Sequence, residues 1–288
     1  MMAAGPLGEP EGAVDAVDTS AGTESAARVA DVLLLFTGGS PTLGVSRAAR
    51  ELGLSKAVVH RILRSLAARG MVSCDADSRQ YRLGPAAAAL GARALRECDL
   101  RSAAADLLHR LRDETAETAT LTALVPHGRV YLDQVPGTHE IKMTVELGRR
   151  FPLHAGSSGK CMLAFLASGA RDRVLAAPLE ELTANTVTDA DALRAELGLI
   201  AGRGYAVSAG ERQADAGSVA APVLGATGEV IGAISVCGPR YRVTADLAIE
   251  LAPRVLAAAG EASRRMGWPG SRWLPPARAS RRGYRAAG

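Results

Sequence analysis

Apolar residues recur at helical spacing in three consecutive stretches near the front of this 288-residue chain. Val29, Val32, Leu33 and Phe36 make the first stripe, Val45, Ala48, Ala49 and Leu52 the second, and Val59, Ile62, Leu63 and Leu66 the third. Gly38-Gly39-Ser40-Pro41 ends the first helix. Gly53 closes the second and suits a left-handed backbone, which a residue with a Cβ adopts only at a cost. Leu54 plugs the corner, and the Ser55 hydroxyl can cap the third helix, which Arg69-Gly70 closes with a cation and a glycine stop. Lys56, His60, Arg61 and Arg64 fall outside the apolar stripe. Met71 to Cys74 and Tyr81 to Leu83 then read as a β-hairpin around the polar turn Asp75–Arg79. A helix, a sharp corner, a basic helix and a wing form the layout of a DNA-reading helix-turn-helix.

Beyond Gly84 the pattern changes. Pro85 to Leu100 carries Leu90, Ala94 and Leu95 on one face and predicts a linker helix, the kind of element that serves as a dimer contact or packs on its own neighbour. A long helix follows, with Leu107, Leu108 and Leu111 along one side. Strand-like runs cover Thr118–Val125, Val130–Val135 and Ile141–Val145, separated by turns short enough to favour antiparallel neighbours. Helices are expected near 158–167 and 190–202, strands at Ser218–Leu224 and Glu229–Val236, and a last helix from Thr244 to Met266. The expected class is α+β: an N-terminal winged helix-turn-helix (25–84), a linker helix (85–100), and a C-terminal domain (101–266) with a central, mainly antiparallel sheet flanked by helices. Residues 1–24 and 267–288 lack periodicity and read as an unstructured leader and an Arg- and Pro-rich tail.

Composition narrows the classes. Apolar residues make up 48% of the chain but aromatic ones only 3%, so the cores are aliphatic. No apolar run reaches the roughly 18 residues a membrane helix needs, and the N-terminus has no basic segment before an apolar one. Cys74, Cys98, Cys161 and Cys237 are scattered, with no paired spacing and no histidine near them, so reduced thiols, a cytoplasmic location and no metal or cofactor are expected. Charge sharpens the picture more. Residues 25–84 carry nine Arg or Lys against four acids, between an acidic leader and a mildly acidic middle, and seven arginines lie in 264–288. A small basic winged unit suits phosphate neutralisation. Ser55, Lys56, His60, Arg61 and Arg64 are the candidates for the major groove, with Arg79 and Arg82 steadying the wing on phosphates of double-stranded DNA. A solvated basic face on an ordinary helical hairpin is the bland alternative.

In the second half, Gly148 to Lys160 approaches two catalytic loops and matches neither. A phosphate loop needs glycine five residues before Gly159-Lys160 and a hydroxyl after it; His154 and Cys161 stand there. Ala155-Gly156-Ser157-Ser158-Gly159 approximates a nucleophile elbow, but all five histidines precede Ser157, so that elbow's chain order cannot be completed. What remains is a run of backbone N–H groups opening a helix beside two hydroxyls, a place for a carboxylate or simply a capped Gly-rich turn. Ser235 and Cys237 share one face of their strand, and either line a pocket or are satisfied core residues.

The segment 44–91, Gly148–Leu163, Gly204-Tyr205-Ala206-Val207-Ser208-Ala209-Gly210-Glu211, Val219-Ala220-Ala221-Pro222-Val223 and Ile231–Arg242, in this order and spacing, resemble the IclR family of bacterial transcriptional regulators. The resemblance spans about residues 25–266. It implies a ligand-responsive regulator, more often a repressor, assembled as a homodimer or a pair of dimers on a roughly palindromic operator. It also implies an effector cavity lined by Met143, Phe151, Ser157, Ser158, Ser208, Ser218, Ser235 and Cys237, for a small molecule such as an organic or aromatic acid. Some acid-binding members carry Asp at the position of Ser208 and Cys at that of Ser218; this chain has hydroxyls at both, so a ligand type does not carry over. The rival expectation is a hydrolase-like enzyme on the C-terminal domain, targeted by the winged one. It would need an acid-base pair that the Ser-rich candidates do not supply.

Overall fold

The structure, a computed structural model, describes residues 24–38, 40–96 and 99–270. The acidic leader, the Arg-rich tail beyond 270 and Cys98 lie outside the described residues. The chain divides into two compact units, one holding the stretches 24–36 and 41–84 and the other built from residue 85 onward.

In the first unit α1 (Glu24–Leu34), which runs on into a 3₁₀ turn at Leu35–Thr37, packs behind α2 (Val45–Leu52) and α3 (Lys56–Ala67). The buried stripe is the one the spacing marks: Val32, Ala48, Ala49, Val59, Leu63 and Leu66, closed from the wing side by Val72 and Tyr81. The corner is built as its residues dictate. Gly53 takes φ 64°, and its N–H returns to the Ala49 carbonyl. Ser55 accepts the Val58 N–H at 3.3 Å and starts α3. The wing pairs β1 (Val72–Cys74) with β2 (Tyr81–Leu83), and Tyr81 also bridges Leu43. Asp75 holds the wing tip through the Ser78 N–H and hydroxyl.

The second unit begins with α4 (Pro85–Arg96) and α5 (Asp99–Thr115). Its sheet has six antiparallel strands in the order β5-β4-β3-β8-β7-β6, formed by β3 (Thr118–Val125), β4 (Gly128–Val135), β5 (Arg150–Phe151), β6 (Ala206–Ala209), β7 (Ala216–Leu224) and β8 (Val230–Pro239). Alternation along the strands sends Leu121, Val219, Ala221, Val223, Ile234 and Val236 to one face, against α5 and the final helix α9 (Ala245–Arg265). On the other face Ala220 and Ala233 meet α6 (Ser157–Phe165) and α8 (Ala190–Arg203), with Met162, Leu163, Leu193 and Leu197 between. Among the described residues no helix is long and apolar enough to cross a membrane.

One sequence expectation is corrected here, and three short elements are added to it. Ile141–Val145 is not a strand: the Gln134 side chain takes both Val145 N–H (2.9 Å) and Val145 C=O (2.8 Å), so a side chain fills the place of a ladder. The partner of β4 on that edge is Arg150–Phe151 instead. The short elements α7 (Ser168–Ala176) and β6 escaped the periodicity reading. In α7 Leu175 is the buried residue, too little to mark a stripe.

Candidate functional site

Two polar surfaces stand out, one in each unit. On α3 the packing of Val59, Leu63 and Leu66 forces Lys56, His60, Arg61 and Arg64 outward, and all four are exposed, as is Ser55 at the cap. Arg79 and Arg82 are exposed on the wing; Arg79 sits at φ 55°, in the left-handed turn that Asp75 braces. Among the described residues no carboxylate pairs with Lys56, Arg61, Arg64, Arg79 or Arg82, whereas Arg47 on α2 is tied to Glu51. Five of this unit's cations without a carboxylate partner among the described residues thus stand on α3 and the wing; Arg50 on α2 and Arg69 beyond α3 also lack one.

The second surface is a small, partly open cleft of about 30 Å³ on the sheet face that carries α6. Its floor follows from register. Ser208 pairs with Ser218, Ser218 with Cys237, and Cys237 with Thr118, giving one row of small polar residues across four strands. In the next row Ser235 lies beside Thr120, their hydroxyls 2.6 Å apart. Ser157, at the start of α6, meets the Ser218 hydroxyl at 2.7 Å, and Ser158 lines the same space. Met143 closes one side from the irregular loop; its carbonyl accepts the Thr118 hydroxyl at 2.6 Å. Burial pushes the Cys237 thiol up to about 12, so it is a neutral wall group.

Seven of the eight residues expected around a cavity thus do line one. Phe151 does not: its ring stands edge-on to Tyr131 (centroids 5.6 Å, planes at 72°), and it is Tyr131 that reaches the cleft. The sequence reading also missed Arg129, Arg212 and Gln213. Arg129 is the second residue of β4, outside the run Val130–Val135 that the spacing marks, and Arg212 follows the run Gly204–Glu211. No local spacing signals them; the sheet order brings them in.

Arg129 is 1% exposed, and its Nε and Nη1 have no hydrogen-bond partner. Its Nη2 reaches only the Ala155 carbonyl, at 3.4 Å. The guanidinium lies along the opening turn of α6, in a space that exists because residue 159 is glycine. A Cβ there would stand 2.6 Å from the Leu153 carbonyl oxygen and 3.0 Å from Arg129 Nε. Arg212 stacks over Phe151 at 5.0 Å. Behind this wall, buried Lys160 is neutralised by Glu196 (2.5 Å) and by Glu211, which also accepts the Gly156 N–H at 3.2 Å. Burial raises the Glu211 carboxyl against the pull of Lys160. The Thr186 hydroxyl donates to the Glu211 carbonyl (2.7 Å) and that of Thr183 to Gly210 (2.6 Å), fixing the turn that presents Arg212.

An unpaired basic recognition surface on a winged unit, with a polar-floored cleft in a second α+β unit, defines a transcriptional regulator that couples DNA binding to a small molecule. The chain belongs to the IclR family. The family model for the C-terminal domain of bacterial IclR regulators matches residues 92–264, and that for the IclR helix-turn-helix domain matches residues 25–76. Curated relatives include the transcriptional regulator SauR of Cupriavidus necator, 33% identical over 82% of this chain and 94% of its own length. The glycerol operon regulatory protein of Streptomyces griseus is 35% identical over 85% and 96%. Among solved structures, an IclR-type regulator from Silicibacter sp. TM1040 superposes with a TM-score of 0.79 at 30% identity, covering 87% of this chain and 99% of that one. An IclR homologue from Microbacterium hydrocarbonoxydans, solved with 4-hydroxybenzoate, gives 0.64 at 26% identity, covering 84% and 98%.

Proposed function

We propose that this regulator is a cytoplasmic repressor without enzymatic activity. It acts as a homodimer or tetramer on a roughly palindromic operator and is released or retained by a small organic acid in the C-terminal cleft. Ser55, Lys56, His60, Arg61 and Arg64 are assigned to the major groove, and Arg79 and Arg82 to flanking phosphates. Met143, Ser157, Ser158, Ser208, Ser218, Ser235 and Cys237 are assigned to the effector. The observation that carries the reading is the set of α3 cations standing in solvent with no carboxylate partner among the described residues. Leu90, 60% exposed on α4, supports self-association through that helix. Against a hydrolase, neither histidine nor carboxylate lines the cleft among the described residues, and the His154 ring is spent on the Glu180 carbonyl at 2.8 Å.

The test is selection of duplexes from a random-sequence pool by the full-length chain, followed by gel shifts on the winning duplex. Half-sites about one helical turn apart, bound by the wild type and lost with Arg61→Ala at matched salt, are expected. Retained affinity in Arg61→Ala, or no enriched sequence at all, contradicts the assignment.

A further inference from the structure

We infer that the C-terminal cleft is built for a doubly anionic ligand, a short dicarboxylate, with Arg129 and Arg212 as its two counter-charges. The inference rests on the reading of this cleft as the effector site and goes beyond it by fixing the ligand's charge.

Charge around the cleft is one-sided. Among the described residues two guanidinium groups line it and no carboxylate does, and the Cys237 thiol is neutral. Arg129 is the stronger observation. It is 1% exposed, two of its three nitrogens are without a partner, and it lies against the positive end of α6. Buried charge is costly unless paired. The fold knows how to supply pairs, because Lys160 on α6, equally buried, receives two carboxylates. The Tyr131 and Phe151 rings, 5.1 and 5.4 Å from the Arg129 guanidinium carbon, soften the deficit without cancelling a full charge. Arg212 is half-buried on the same two rings, with no ion pair among the described residues.

A single carboxylate sets one negative charge against two guanidinium groups; a second anionic group balances both. The lining also includes Met143 and Ala216, whose apolar surface favours a carbon skeleton over a bare inorganic dianion. An organic acid with two carboxylates matches that lining in charge.

Isothermal titration of the full-length protein tests this with matched probes: glutarate against glutaramate, and terephthalate against terephthalamate. Each pair differs by one carboxylate turned into an amide. The dianion of at least one pair should bind at least about tenfold tighter than its monoamide, and Arg212→Gln should cut that preference below about threefold. Arg129→Met should raise the unfolding midpoint of the ligand-free protein, since it removes an uncompensated buried charge, and should abolish the further rise given by the dianion. Equal binding of dianion and monoamide, a preference that survives Arg212→Gln, inorganic phosphate binding as tightly as the dianions, or a lowered midpoint in Arg129→Met would each overturn the inference. So would a failure of all four acids to bind. Operator selection, which needs no ligand, separates that failure from failure of the regulator reading.

Discussion

The two units handle positive charge in opposite ways. On α3 the cations are exposed and have no carboxylate partner among the described residues, and that arrangement costs the fold almost nothing. In the C-terminal unit Lys160 and Arg129 are each 1% exposed, one fully compensated and one not. Exposed cations can be removed one by one with the fold intact and only the binding of a polyanion affected. A buried, compensated cation belongs to the fold, and a buried, uncompensated one points to a ligand. The difference shows where stability and function separate in this molecule.

Breaking the compensated site gives the largest effect. Lys160→Met leaves Glu211 buried and unpaired and should destabilise the C-terminal unit by about 3–5 kcal/mol, seen as a melting midpoint lower by about 10 °C. Lys56→Met on α3 should leave the midpoint within about 2 °C and weaken duplex binding instead. A reversed outcome would erase the comparison. Ser235→Val comes next: it strands the Thr120 hydroxyl, now 2.6 Å from Ser235, at a cost of about 1–3 kcal/mol. It should shift the effector response in a ligand titration while operator affinity without ligand is unchanged.

Arg61→Ala should weaken operator binding about tenfold. If Arg61 touches phosphate, the slope of log affinity against log salt should also fall by about one. A loss confined to one base position would mark a base contact instead. The smallest effect is expected at the exposed pair Arg265–Asp106, which ties α9 to α5. The hydrogen bond from Arg265 holds the Asp106 carboxyl below its ordinary value of 3.8. A carboxyl lowered by folding stabilises at neutral pH, and that contribution is lost as pH falls below 3.8 toward the lowered value. Because Asp106 is well exposed, Asp106→Asn should cost less than about 1 kcal/mol at pH 7, and the difference from wild type should vanish in acid. Urea unfolding at pH 7 and pH 3 would read both.

The α3 surface was legible because its determinants are local. The stripe Val59, Leu63, Leu66, the Ser55 cap and Gly53 with its positive φ all act within a few residues of one another. The face shared by Ser235 and Cys237 was legible for the same reason, from strand alternation alone. Joining that face to Ser208 and Ser218 requires the register of three strands, which came to the reading only through family resemblance. Arg129 was out of reach. Its role depends on β4 lying two strands from β8, and on a glycine 30 positions later leaving room for it. Ile141–Val145 misled because its alternation fits a strand, while Gln134 takes the hydrogen bonds that a neighbouring backbone would have made. Phe151 misled by one layer: it supports the wall from behind Tyr131.

The central claim is that an anion taken up by the buried cations of one unit changes how the exposed cations of the other hold DNA. Fluorescence anisotropy of a labelled duplex, selected by the protein itself, would test it directly, with terephthalate and glutarate titrated at constant ionic strength. The account predicts a change in operator affinity of about tenfold or more with at least one acid in the wild type, and none in Arg129→Met. An operator affinity that stays constant while calorimetry shows the acid bound would contradict it.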